Sequence, residues 1–178
     1  MKLPQLIGPN TGIGLLLAVV TLVLDQASKL WLLYGFQLEF RGQVSVLPFV
    51  DFVLVWNGGI SYGLFQQDGA AGRAILILIA VGACGFFLLW LAREHSRLNA
   101  IALGLMIGGA LGNLIDRVAY GAVVDFVLVH FNSFRWYVFN VADVAIVVGV
   151  ALLIYGALGW GSRQTSEDAA GHNGMREG

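Results

Sequence analysis

The chain carries the stretch FNVADVAIVVGVALLIYGALGW at residues 139–160, which is apolar enough to cross a bilayer and has one carboxylate, Asp143, near its start. A second carboxylate, Asp125, lies in the run VVDF at residues 123–126. A charged side chain in the bilayer costs about 2.5–3.5 kcal/mol on insertion scales, so such residues face a protein interior or a water-filled cavity and mark functional sites. With no cluster of Cys or His beside them, the two aspartates predict proton chemistry by a pair of carboxyl groups.

The composition places the chain among membrane proteins. Of its 178 residues, 58% are hydrophobic and 12% are charged, whereas a soluble domain carries about 25% charged residues. The net charge of −1 excludes the basic surface that nucleic-acid binding requires. The single cysteine, Cys84, lies in an apolar run and is predicted to be a packed core thiol.

Four apolar stretches are long enough to cross a membrane, for which ~20 residues are needed. They cover about residues 12–33, 74–92, 98–115 and 141–160. None is expected to be a cleaved signal peptide, because the first is too long and carries Asp25 and Lys29 where small residues would precede a cleavage site. The sequence therefore predicts a mainly α-helical membrane protein with four transmembrane helices.

The topology follows from the number of spans and from the loop charges. Four spans place both termini on one side of the membrane, together with the short loop 93–97 between the second and third spans. The two arginines of this loop favour the cytoplasm for that side, although arginines in the loops on the other side nearly balance them. We predict one integral-membrane domain over residues 1–160, followed by a disordered polar tail at 161–178.

Two segments outside the spans are expected to be ordered. Residues 36–65 alternate and are rich in β-forming side chains, which predicts a small sheet or hairpin at the outer membrane surface. Residues 119–139 form a second, mixed and half amphipathic segment with Trp136 and Tyr137 as interfacial side chains.

Polar residues gather toward one boundary of the predicted bundle. Asp25 and Lys29 are four residues apart, so they share a helical face and can pair. The third span ends in GGALGNLIDR at residues 108–117, whose glycines predict close helix packing and whose closing Asp and Arg are interpreted as a structural anchor. For Asn140 two interpretations stay open, a cap of the fourth helix and a polar contact to a substrate.

Five sequence blocks follow one another in a specific order. They are DQASK at 25–29, N-x-G-x-S-x-G at 57–63, GGALGNLIDR at 108–117, VVDF at 123–126 and FNVAD at 139–143. Together with four spans, these blocks resemble the lipoprotein signal peptidases, the signal peptidase II family, over nearly the whole chain. The second block departs slightly from the family pattern, since Gly58 and Ile60 stand where small or alanine-like residues are common.

The resemblance implies a membrane aspartyl protease that removes the signal peptide from diacylglyceryl-modified prolipoproteins, on the amino side of the modified cysteine. It assigns catalysis to Asp125 and Asp143. Site-lining roles fall on Asn57, Gly59, Asn113, Arg117 and Asn140, and structural support falls on Asp25, Lys29 and Asp116. It implies a site near the outer face of the bacterial cytoplasmic membrane and no metal or other cofactor. We expect a monomer whose partners are the prolipoprotein and membrane lipid.

Two alternative functions need weighing. Residues 59–63, GISYG, fit the G-x-S-x-G pattern of serine hydrolases, but that pattern has meaning only on a strand-to-helix elbow of a parallel sheet, which the sequence does not predict. Ser61 is therefore not expected to be a nucleophile. A small proton-coupled transporter could also use membrane carboxylates as a relay, but it would give no reason for the β-rich segment.

Overall fold

The computed structural model describes residues 8–59, 70–132 and 134–159. Within these ranges the chain forms five α-helices and four β-strands, with the strands in two consecutive pairs. The elements are α1 (Thr11–Leu30), continued by a π-helical turn (Trp31–Gly35), α2 (Leu38–Arg41), β1 (Val44–Leu47), β2 (Val50–Asn57), α3 (Ala70–Leu91), α4 (Arg97–Ala119), β3 (Val123–Phe131), β4 (Phe134–Phe139) and α5 (Val141–Ala157).

Three helical segments of the described chain are long and apolar enough to cross a membrane. They are Thr11–Gly35, Ala71–Leu91 and Arg97–Ala119, and they correspond to the first three predicted spans. Helix α5 corresponds to the fourth but has only 17 residues, a length of about 25 Å at 1.5 Å per residue. The four-span count thus stays a prediction, and Trp160 and the polar tail lie outside the described residues.

The outward surface of the helices is apolar. Leu16 in α1, Leu78 in α3 and Val147 in α5 are 63%, 70% and 66% exposed. In water this would be an unusually large apolar surface, whereas lipid tails solvate such side chains. The interior instead buries charged groups, including Asp25 and Lys29. This distribution identifies the chain as a membrane protein.

Helix α4 lies at the centre of the bundle and packs against α1, α3 and α5. Its glycines permit the close approach. A Cβ atom on Gly108 would lie 2.5 Å from the carbonyl oxygen of Ala18 in α1, and one on Gly109 would lie 2.5 Å from that of Ala142 in α5. The predicted close packing at these glycines is confirmed, and it joins the middle of α4 to the middle of α1 and to the first turn of α5.

The strands form one antiparallel sheet in the order β1-β2-β3-β4. The first β-rich segment supplies β1 and β2, while α2 precedes them and residues 60–65 lie outside the described part. The segment 119–139, expected to be mixed and half amphipathic, contains the last residue of α4 and both strands of the β3–β4 hairpin. Its many β-branched and aromatic residues suit a pleated surface. The position of the sheet at the outer membrane surface stays a prediction.

A small apolar cluster attaches the sheet to the bundle. Leu32 at the end of the first span, Leu38 in α2 and Phe126 in β3 are buried against one another. Val141, at the start of α5, packs on the same cluster. Strand β3 is thereby held over the polar ends of the helices.

Candidate active site

Asp125 lies within β3, opposite Val55 of β2. β3 is a central strand of the sheet, between β2 and β4. The Asp125 side chain is 1% exposed. Asn57 at the end of β2 donates to one carboxylate oxygen over 2.9 Å, and Asn140 donates to the other over 2.6 Å. Both oxygens are therefore held by amides from neighbouring elements.

Asp143 lies in the first turn of α5, where a capping box fixes its orientation. The Asn140 side chain accepts from the backbone nitrogen of Asp143, and the Asp143 carboxylate accepts from the backbone nitrogen of Asn140. The cap interpretation of Asn140 is confirmed. The second Asp143 oxygen accepts from Asn113 of α4 over 2.9 Å. A cap of this kind stabilises a helix by about 1 kcal/mol, and here it also aims a carboxyl.

Two amides join the carboxyls in one hydrogen-bond chain. Asn140 donates to Asp125 and also to the Asn113 oxygen, over 3.1 Å. Asn113 in turn donates to Asp143. Because the Asn113 oxygen also accepts from Lys29 over 3.1 Å, its amide nitrogen can only face Asp143. The orientation of both carboxyls is thus set by neighbouring side chains.

A buried charge cluster lies beneath this chain. The Lys29 ammonium is 2.8 Å from Asp25 and 2.7 Å from Asp116, and all three side chains are at most 2% exposed. Asp25 accepts from the backbone nitrogen of Ala142 over 2.9 Å, and Asp116 accepts from that of Val124 over 3.1 Å. Each supporting carboxylate therefore holds the backbone directly before one aspartate of the site.

Arg117 and Gly59 complete the set predicted from the sequence. The Arg117 guanidinium donates to the carbonyl oxygens of Asn113 and Gly59, each over 3.2 Å. It is close enough to Asp125 and Asp143 to interact electrostatically with both. All ten predicted site and support residues therefore lie in one connected region, on five different elements and the residues adjoining them.

Burial raises the pKa of Asp125 to about 6. The neighbouring Asp143 charge acts in the same direction, whereas hydrogen bonds from Asn57 and Asn140 and the charge of Lys29 oppose it. Desolvation dominates because charge is poorly solvated away from water. A carboxyl with this pKa can hold or release a proton near neutral pH.

Two cavities reach the carboxyls from different sides. One, of about 490 Å³, reaches Asp143 and is walled by apolar residues of β4 and α5, among them Phe139 and Val147. The other, of about 300 Å³, reaches Asp125 from the side of β2. A chain of polar groups open to an apolar cavity can bind an extended apolar ligand beside a proton-transfer pair.

Two residues of the site were missed from the sequence. Gln26 donates to Asp25 over 3.2 Å and to Asp116 over 3.0 Å. Tyr137 places its hydroxyl 2.6 Å from the Asn57 amide nitrogen. The position of Gln26 within the DQASK block, next to Asp25, could have indicated that it belongs to the site. The sequence around Tyr137 indicated only an aromatic interfacial residue.

The fold and the site define a helical membrane protein with two linked carboxyls beside open cavities. Two solved structures of bacterial membrane enzymes, both obtained by the in meso method, share this fold. Their TM-scores are 0.74 and 0.71 at 26% and 25% identity, over 85% and 83% of this chain and 91% and 93% of theirs.

The sequence comparisons identify the family. The profile of the family described as signal peptidase (SPase) II matches residues 17–159. A lipoprotein signal peptidase from Methylorubrum extorquens (strain PA1) is 53% identical over 161 residues, covering 90% of this chain and 94% of its own. One from Nitrobacter hamburgensis is 57% identical over 146 residues, covering 80% and 89%. The chain belongs to the signal peptidase II family, as the five blocks indicated.

Proposed function

We propose that this protein is an aspartic endopeptidase of the bacterial cytoplasmic membrane that removes the signal peptide from diacylglyceryl-modified prolipoproteins. Removal of lipoprotein signal peptides follows from membership of a family whose relatives are more than half identical and bear that name. The catalytic type, the residues and the cleavage point on the amino side of the modified cysteine are our proposal.

The observation that carries the catalytic assignment is the linked pair Asp125 and Asp143. The two carboxyls come from a strand and a helix, are joined through Asn140 and Asn113, and each opens to a cavity. Other buried carboxylates of the site, Asp25 and Asp116, are engaged by Lys29 and so are tied to a structural role.

The pair can catalyse hydrolysis by exchanging one proton. Two neighbouring carboxyls cannot both ionise without a large electrostatic penalty, so one stays protonated. The ionised carboxyl takes a proton from water as the water oxygen bonds to the scissile carbonyl carbon, and the neutral carboxyl gives its proton to the carbonyl oxygen. When the carbon–nitrogen bond breaks, the carboxyl that took the water proton gives it to the leaving amine, and the other carboxyl takes a proton from the hydroxyl formed on the carbonyl oxygen, which restores the pair. The shared proton belongs to the pair and not to either residue.

The membrane setting suits a lipid-modified substrate. We propose that the site lies near the outer face of the membrane with both termini in the cytoplasm, so that the acyl chains stay in the bilayer while the peptide bond meets water. A monomer contains all the named residues in one connected region. No metal or other cofactor is needed for this mechanism.

The proton-coupled transporter is not favoured, since the family comparisons name peptidases. The GISYG segment lies mostly outside the described residues. Within the described part, the sheet is antiparallel throughout, and a nucleophilic serine elbow requires a strand-to-helix turn above a parallel sheet.

The deciding experiment is a gel-shift cleavage assay with a diacylglyceryl-modified prolipoprotein and detergent-purified enzyme. Asp125→Asn and Asp143→Asn should each abolish cleavage while the protein stays folded, because asparagine keeps the shape but cannot exchange the proton. Asp51→Asn is the matched control, because it makes the same change at a buried aspartate of β2 outside the site. Near wild-type turnover by either site variant would overturn the assignment.

A further inference from the structure

The two cavities of the site share one wall. Trp136 and Tyr137 of β4 line both the cavity that reaches Asp143 and the cavity that reaches Asp125. These two side chains therefore lie between the apolar cavity that reaches Asp143 and the smaller cavity that reaches Asp125.

Tyr137 reaches the site through its hydroxyl and not by pairing with Asp125. Phe139 of β4 pairs with Val127 of β3, and because the strands are antiparallel, Tyr137 and Asp125 lie on opposite sides of that pair. The hydroxyl reaches the Asn57 amide, which belongs to the neighbouring strand β2.

The Asn57 amide is fixed by three contacts. Its nitrogen donates to Asp125 over 2.9 Å and to the Tyr137 hydroxyl oxygen over 2.6 Å. Its oxygen accepts from the backbone nitrogen of Gly59 over 3.1 Å. With one amide proton on Tyr137 and the other on Asp125, the amide has a single orientation that satisfies all three partners.

We propose that Tyr137 is a positioning residue for the catalytic pair, whose hydroxyl holds the Asn57 amide in the orientation that binds Asp125. This inference rests on the proposed function, because it assigns Asp125 to the reaction. It concerns a residue outside the five sequence blocks that carry the family resemblance.

Loss of the hydroxyl should weaken the hydrogen bond to Asp125. Donation from Asn57 favours the ionised carboxylate and lowers its pKa, so weakening it raises that pKa. Among the residues that the structure describes, the charged and titratable groups near Asp125 are Asp143 from α5, Lys29 from α1, Arg117 from α4 and Tyr137 itself from β4. All but Tyr137 are unchanged by the substitution, so the pH profile of the pair should move to higher pH.

The test is Tyr137→Phe, which keeps the ring and the cavity wall. We expect kcat to fall about tenfold, which corresponds to 1.4 kcal/mol, with KM nearly unchanged. We expect the pH profile of kcat/KM to move up by about half a unit. Tyr34→Phe is the matched control, because it removes the hydroxyl of an exposed tyrosine that contacts Tyr120 away from the site, and it should keep wild-type kinetics.

A double-mutant cycle with Asn57→Ala tests whether Tyr137 acts through the amide. In the Asn57→Ala background, Tyr137→Phe should lower kcat by less than twofold. A full tenfold loss there, a change confined to KM, or an unmoved pH profile with wild-type kcat would each overturn the positioning role. Asp125→Asn and Asp143→Asn, assayed in parallel, test the proposed function independently of this inference.

Discussion

Replacing Lys29 by methionine should destabilise the protein strongly, because its ammonium neutralises two buried carboxylates. The ammonium lies 2.8 Å from Asp25 and 2.7 Å from Asp116 and also donates to Asn113. Methionine has a similar length and no charge, so the substitution removes the interaction while leaving little empty volume.

The size of the effect follows from the charge left behind. The formal charges of Lys29, Asp25 and Asp116 sum to −1 (one positive and two negative charges), and without the lysine the remaining charge is −2. Removing one partner of a buried ion pair costs about 3–5 kcal/mol. At about 2–4 °C per kcal/mol for a protein of this size, Tm should fall by about 6–20 °C.

Thermal unfolding in detergent, followed by tryptophan fluorescence, measures this loss. The double variant Asp25→Asn/Lys29→Met is the matched control, since it restores the sum of −1 and leaves an amide oxygen able to accept from Ala142. We expect it to regain at least half of the lost stability. A Tm drop below about 2 °C for Lys29→Met, or a double variant less stable than the single, would refute this reasoning.

Three further predictions concern the sheet and the rival chemistry. Trp56→Ala should reduce processing of lipid-modified substrate much more than it lowers thermal stability, because Trp56 lines the cavity beside Asp125. Normal cleavage by this variant would show that the β-rich segment 36–65 only connects the first two spans. Ser61→Ala should keep most activity, a serine-directed phosphonate should leave the enzyme unlabelled and EDTA should not inhibit it; labelling at Ser61, or inhibition that zinc reverses, would contradict the carboxyl mechanism. Hydrogen bonds from Ser45 and Gln43 lower the pKa of Asp51 in the folded protein. The ionised Asp51 carboxylate therefore stabilises the fold above the pKa of an unfolded aspartate, about 4, and this stabilisation is lost as the pH falls below that value. Below a pH of about 4, the Tm of Asp51→Asn should depend less on pH than the Tm of the wild type.

Local patterns predicted much of the fold. Continuous apolar runs predicted three helices that fit a membrane, and alternation within residues 36–65 predicted β1 and β2. Both signals are contained in short windows of sequence. The fourth predicted span runs to about residue 160, whereas α5 ends at Ala157, because an apolar run does not itself mark where a helix ends.

Partners distant in the sequence could not be predicted from spacing. The i, i+4 rule paired Lys29 with Asp25, but its shorter contact is to Asp116, on another helix. Likewise, alternation does not say which strands are neighbours, so the pairing of Val55 with Asp125 had no local signal. The ten site residues were found through the ordered blocks, and the structure adds how amides and charges connect them.

Asn140 links the folding of α5 to the formation of the proposed catalytic pair. The same side chain caps the start of α5 and joins the two proposed catalytic carboxyls. A nascent chain that has inserted its earlier helices already carries Asp125 but lacks the bridge to Asp143. On the proposed assignment the catalytic pair forms only once α5 has docked, because Asn140 and Asp143 enter the site with the start of that helix.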